Sequence, residues 1–280
     1  MRRVTPGSIG CSVIVALLLT LPAIAGQARA GEAARAAAAA GVGLTLDQEA
    51  ELGDAIADRM ARSGALATDP AIDAALRRVA VPLRGPRAPW SWHLHVLRTP
   101  GVTSFDTLGG HVYVSRGLIL ACADATELKA VLAHQMAHAN ARDTLHAMLV
   151  GYGPERVLAL ARGEIPNVLD GIAANLAASG TLARHGDVTE AVADAATPSN
   201  GGSPAALRAL LARLASRKQE RASWAQATAW HALTARYLDV HPVTRKRLRA
   251  LAGSAEPSYP RVPSPSSDGF DHLRDLALAP

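Results

Sequence analysis

Aromatic residues are scarce: 4% of this 280-residue chain is Phe, Trp or Tyr, and alanine dominates the apolar fraction. The large flat side chains that fill a β-sandwich are missing, so close-packed helices are the expected architecture. Cysteine is almost absent, with only Cys11 and Cys122 in the whole chain. A disulfide-stapled scaffold is thereby excluded, and stability has to come from packing or from a metal. No apolar run spans a bilayer comfortably, and no repeat of fixed period is present. At this length one substantial domain is the default expectation.

The first thirty residues read as an export signal. Arg2 and Arg3 form its charged start and Val13 to Leu21 its apolar stretch. Ala28-Arg29-Ala30 supplies a cleavage site, with Ala23-Ile24-Ala25 as the rival. Cleavage is thus expected at 30/31 or 25/26, leaving a chain in the periplasm or cell envelope with no stable membrane span. Cys11 precedes the apolar stretch, which argues against a lipoprotein signal. Residues 1–30 carry three arginines and no acids, so processing takes the formal charge from +5 to +2. Nucleic acid is not implied as a partner by so small a charge.

Residues 31–44 form an Ala-rich lead, and the main domain is expected over 45–252. Thr45 and Gln48 are spaced for a capping box on a helix running to about Ser63, and a second helix follows Asp69-Pro70. Alternation from Ser91 to Val96, and the run His111 to Val114 after Gly109-Gly110, predict a pair of short strands. His93 and His95 share one strand face at i and i+2, a spacing a metal pair would have, though it more often marks a plain polar face. A helix without glycine or proline is expected over 126–143, with further helices at 153–162, 166–180, 187–196, 204–216 and 219–238. Residues 253–280 read as a Pro/Ser-rich tail whose end beyond Phe270 can dock as a short helix.

His134 and His138 stand four apart on the 126–143 helix, so both imidazoles leave one face and can reach one tetrahedral ion. Ten histidines would supply roughly 0.3 such pairs by chance, so context decides. The run Glu127 to His138 resembles the zincin helix, in which an acid normally follows the first histidine. A third protein ligand is needed, and Glu190 on a later helix fits, with Asp194 on the same face able to orient a ligating histidine.

Five ordered blocks then carry a wider resemblance: Thr45 to Gly53, Gly109 to Leu118, Glu127 to His138, Glu190 to Asp194, and His241-Pro242 with Arg247. Together they resemble the CAAX prenyl protease-like gluzincins, the M-forty-eight family of zinc metallopeptidases, and especially their soluble periplasmic branch. The resemblance implies a mainly α (α+β) fold: a helical bundle with a small antiparallel sheet whose edge strand lies beside the zinc helix. It makes His134, His138 and Glu190 the ligands of one Zn2+ per chain and Asp194 their supporting acid. His241 becomes a further candidate for the catalytic site. The strand Gly109, Gly110, His111, Val112, Tyr113 and Val114 becomes the edge that pairs with an extended polypeptide.

One departure dominates. Where the family has a glutamate that takes a proton from the attacking water and returns it to the leaving amine, this chain has Gln135. An amide does neither. Leu108 also replaces the family's proline, and Thr103-Ser104-Phe105 its Asn-Ala-Phe. Two functions are expected from this pattern. One is an envelope metalloendopeptidase of reduced activity acting on extended or misfolded envelope proteins. The other is an inactive zinc-bound scaffold that binds or regulates such polypeptides. A metal-free helical protein with two half-buried histidines is the plain alternative.

Overall fold

Thr45 caps the first helix, α1 (Leu46–Arg62), through the reciprocal bonds its spacing predicts. Asp69 caps α2 (Pro70–Ala80), with Pro70 at the position where its missing N–H costs nothing. In the computed structural model the described residues are 44–81, 83, 90–179, 186–221, 237–238, 241–256 and 267–279. The expected signal, nearly all of the lead and most of the helix expected over 219–238 lie outside them.

Three strands follow: β1 (His93–Leu97), β2 (Ser104–Asp106) and β3 (His111–Ser115). β3 lies in the middle, parallel to β1 and antiparallel to β2. The sheet is therefore mixed, and the predicted edge strand, Gly109 to Val114, is its centre. β2 was missed because three residues are too few to show alternation. A 3-10 turn, Leu108–Gly110, joins β2 to β3 with Gly109 and Gly110 at φ 66° and 79°.

Nine more α-helices complete the described residues: α3 (Arg116–Ala121), α4 (Ala125–Asn140), α5 (Asp143–Tyr152), α6 (Pro154–Ala161), α7 (Pro166–Ser179), α8 (Asp187–Ala196), α9 (Pro204–Arg221), α10 (Arg245–Gly253) and α11 (Ser267–Leu278). Asp124 caps α4 by accepting from the Thr126 and Glu127 amides. The sequence shows one apolar stripe on α4, yet every residue from Ala130 to Ala139 is buried. A helix buried on all sides is a central one, and here polar side chains must find partners within the protein. The chain end is no loose tail, since Phe270, Leu273 and Ala277 of α11 are buried in the core beside α2 and α3.

Two apolar clusters flank the sheet. Val96, Val112 and Val114 join α2, α4, α9 and α11, whereas Leu97, Phe105 and Tyr113 join α1 and α5–α7. Ser104 pairs with Val114 and Asp106 with Val112, so both polar residues of β2 share the α4 face. That register delivers them to the candidate site.

A Cβ at Gly110 would lie 2.2 Å from Trp90 Cδ1 and 2.6 Å from the Ser91 carbonyl, at a φ that disfavours any side chain. Gly110→Ala should cost roughly 2–4 kcal/mol in urea unfolding. Gly151→Ala, on open space in α5, should be neutral or stabilising by up to about 1 kcal/mol. Equal midpoints for Gly110→Ala and the wild type would refute the described turn.

Candidate metal centre

His134 and His138 project from α4 one turn apart, and their Nε2 atoms stand 3.1 Å from each other. Glu190 reaches them from α8, with Oε2 3.4 Å from His134 Nε2 and Oε1 3.5 Å from His138 Nε2. For metal–ligand distances of about 2.0–2.1 Å, a tetrahedron has edges of about 3.3–3.4 Å. The three side chains thus already define a face of the right size for zinc. All are at most 1% exposed.

The other imidazole nitrogens both face carboxylates. His138 Nδ1–H donates to Asp143 Oδ2 at 2.8 Å, and His134 Nδ1 lies 3.1 Å from Asp194 Oδ1. A proton on each Nδ1 would leave both Nε2 lone pairs facing each other, an arrangement that calls for a proton or a cation between them. The charges agree. Glu190, Asp194 and Asp143 are buried carboxylates opposed by the single guanidinium of Arg247, a formal count of −3 + 1 = −2 that a divalent cation would neutralise.

Arg247 on α10 grips this acid pair. Its Nε and Nη2 donate to Asp194 at 2.7 and 2.9 Å, and its Nη1 lies 2.6 Å from Glu190 Oε2. His241 completes the cluster: its Nδ1 is 2.7 Å from Glu190 Oε1, and it belongs with His134, His138 and Glu190 to a set of four groups whose ligand atoms lie within 4.8 Å.

A model of peptidase family M48 matches residues 66–255, which span the sheet, α4, α8 and α10. The chain belongs to this metallopeptidase family. It is 45% identical over 51 residues to the mitochondrial metalloendopeptidase OMA1 of Schizosaccharomyces pombe, covering 18% of this chain and 15% of that protein. It is 29% identical over 113 residues to a putative β-barrel assembly-enhancing protease of Vibrio cholerae, covering 39% of this chain and 23% of that one. The matched regions therefore span less than a quarter of these relatives. No helix among the described residues is long and apolar enough to cross a membrane.

Within this family framework Gln135 sits fully buried between two partners. Its Nε2 lies 2.9 Å from Ser104 Oγ and 3.1 Å from His241 Nε2. Burial lowers the His241 pKa, so the ring is neutral; its Nδ1–H donates to Glu190, leaving Nε2 to accept from the Gln135 amide. The amide is thus held as a donor. Its Oε1 meets no hydrogen-bond partner among the described residues.

The structure brings together His134, Gln135, His138, Glu190, Asp194 and His241, six of the candidates read from the sequence. The strand from Gly109 to Val114 is not an exposed edge, because β1 and β2 occupy both its sides. The strand edge beside α4 is β2, where His241 Nε2 stands 3.3 Å from the Ser104 carbonyl and Thr144 Oγ1 donates to the Asp106 carbonyl at 3.2 Å.

Asp143 is not among the site candidates read from the sequence. Arg142 takes a left-handed conformation, φ 56°, directly after α4, which turns the chain so that Asp143 reaches back to His138. An ion pair with buried Glu49 on α1 holds that arginine in place. Arg247 was visible as the end of an H-P-x-x-x-x-R element, but its grip on Glu190 and Asp194 was not. Asp106 was also unforeseen: burial pushes its pKa up to about 7, against the pull of nearby His138.

In the ion-free protein, burial would lower the His138 pKa, but Asp143 and Glu190 raise it to about 10. Burial likewise opposes ionisation of Glu190, and the imidazoles of His241, His134 and His138 hold its carboxyl well below the usual carboxylate range. A histidine with a raised folded pKa stabilises fully below its unfolded value near 6.5 and loses that contribution as pH rises through about 10. Chelated protein should therefore melt at falling temperatures between pH 6.5 and 10. Zn2+ uptake at pH 8 should release about one proton, read by calorimetry in buffers of different ionisation enthalpy. His134→Ala should abolish both the zinc-induced rise in melting temperature and the proton release. A chelator-insensitive melt in the wild type would exclude the ion.

Proposed function

We propose that this chain is an exported, zinc-binding member of its metallopeptidase family that holds extended or misfolded envelope polypeptides and hydrolyses them poorly. Its carrying observation is the setting of Gln135, whose amide donates toward Ser104 Oγ and His241 Nε2 in place of a carboxylate that could accept a proton. His134, His138 and Glu190 would hold one Zn2+, with Asp194, Asp143 and Arg247 fixing their orientation. Zinc bound there would supply Lewis acidity toward a peptide carbonyl. The chain's own residues bind and orient, but among the described residues beside His134, His138 and Glu190 none takes the part of the missing base. His241 is neutral, yet its Nε2 already accepts from Gln135.

An extended polypeptide would lie along β2, whose outward carbonyls at Ser104 and Asp106 are the pairing groups beside the ion. Thr144 donates to the Asp106 carbonyl and the His241 ring stands against the Ser104 carbonyl in this conformation, so His241 must move before a backbone can pair. The envelope location rests on the signal-like N-terminus and on similarity to a relative named for β-barrel assembly.

General acid–base catalysis typically contributes about 10²–10⁴-fold. Gln135→Glu, loaded with equal zinc, should therefore cleave casein at least about 10²-fold faster than the wild type. Equal rates for the two proteins would show that Gln135 does not limit hydrolysis, and the binding reading would fall.

A further inference from the structure

A second group of ligating side chains converges on the other face of the sheet, away from α4. His93 on β1 and His111 on β3 are register partners on parallel strands, so their rings leave one face and stack with centroids 4.5 Å apart and planes 14° from parallel. His95, two residues on, places Nε2 2.9 Å from His111 Nδ1. Asp54 comes down from α1, with Oδ1 3.0 Å from His111 Nε2. Ligand atoms of Asp54, His93 and His111 all lie within 4.8 Å of one another.

We propose that Asp54, His93 and His111 form a second divalent-cation site, selective for a borderline transition ion such as Zn2+ and separate from the centre on α4. Two imidazole nitrogens and one carboxylate oxygen suit zinc far better than Mg2+ or Ca2+, which take oxygen sets. His95 is the orienting residue. An ion on His111 Nε2 leaves the Nδ1–H of that ring to donate to His95 Nε2, which fixes both tautomers.

A simple hydrogen-bonded row, Asp54 to His111 to His95, explains three of the four residues. It leaves out His93, which stacks on His111 with a ligand atom in reach of Asp54. Asp54 and His93 are exposed and His111 is buried, so an ion can enter from solvent and stand on a fixed ring. Because the ligands come from α1, β1 and β3, its binding would clamp the first helix to the sheet.

The test is equilibrium dialysis of the untagged full chain against Zn2+, followed by metal analysis. Two ions per chain are expected in the wild type, one in His93→Ala, one in His134→Ala and none in the double variant. His93 is exposed, so its replacement leaves the core intact, and Asp54→Asn should give the same loss without removing a ring. His95→Ala should weaken the second ion about 10–100-fold. One ion in the wild type that His93→Ala and Asp54→Asn leave in place overturns the proposal, as do two ions that neither variant reduces. Occupancy by Mg2+ in place of Zn2+ would overturn the nitrogen-ligand assignment. Loss or retention of the ion at His134 is scored separately and bears only on the centre at α4.

Discussion

Two imidazole nitrogens 3.1 Å apart, each on a ring whose opposite nitrogen faces a carboxylate, are the constraint to which the rest of this fold answers. Burying three carboxylates against one guanidinium is unfavourable unless positive charge is supplied between them. Each neighbouring element meets part of that demand. α8 brings Glu190 and Asp194 on one face, α10 brings Arg247, and the left-handed turn at Arg142 brings Asp143. The α4 helix accepts burial on all sides where His134, Gln135 and His138 find their partners in this network, while Glu127 nearer its start pairs with Arg213. From the opposite flank, Asn200 Nδ2 donates to the Ala133 carbonyl at 2.9 Å, within the turn of α4 that carries the first histidine.

The sheet is subordinate to the same arrangement. Its central strand is buried along its whole length and feeds two apolar clusters by simple alternation, with Val112 and Val114 to one side and Tyr113 to the other. Alternation also decides where polarity goes. Ser104 and Asp106 fall on the α4 face and meet Gln135 and Thr144, while His93, His95 and His111 fall on the α1 face. Each face of one small sheet therefore carries ligating or hydrogen-bonding groups, kept apart by β-strand geometry alone.

Local signals made much of this legible in the sequence. The capping box at Thr45, the Asp69-Pro70 start, the spacing of His134 and His138, and the Glu190/Asp194 pair each depend on residues within one or two turns, and each lies where expected. What stayed hidden was long-range or very short. A three-residue strand has no period to detect, so β2 was overlooked and β3 was mistaken for an edge. Asp143 is close to His138 only because a non-glycine residue adopts a positive φ, which no propensity scale foresees. The last helix was read as an appendage because its proline-rich approach says nothing about the apolar face that follows.

Gln135 is best understood by the same charge accounting. A glutamate at this fully buried position would add a fourth carboxylate to Glu190, Asp194 and Asp143, which in the ion-free protein are opposed by Arg247 and by a His138 whose pKa is raised to about 10, beside a His241 that is neutral and already donating to Glu190. Only the ion, or a further proton, could then balance it. The amide avoids that cost and instead meets Ser104 Oγ and His241 Nε2 directly. Stability without metal and competence as a base pull in opposite directions at this one side chain. On the reading proposed above the balance in this chain lies with stability, in a buried cluster of four candidate ligands with His241 against the strand edge.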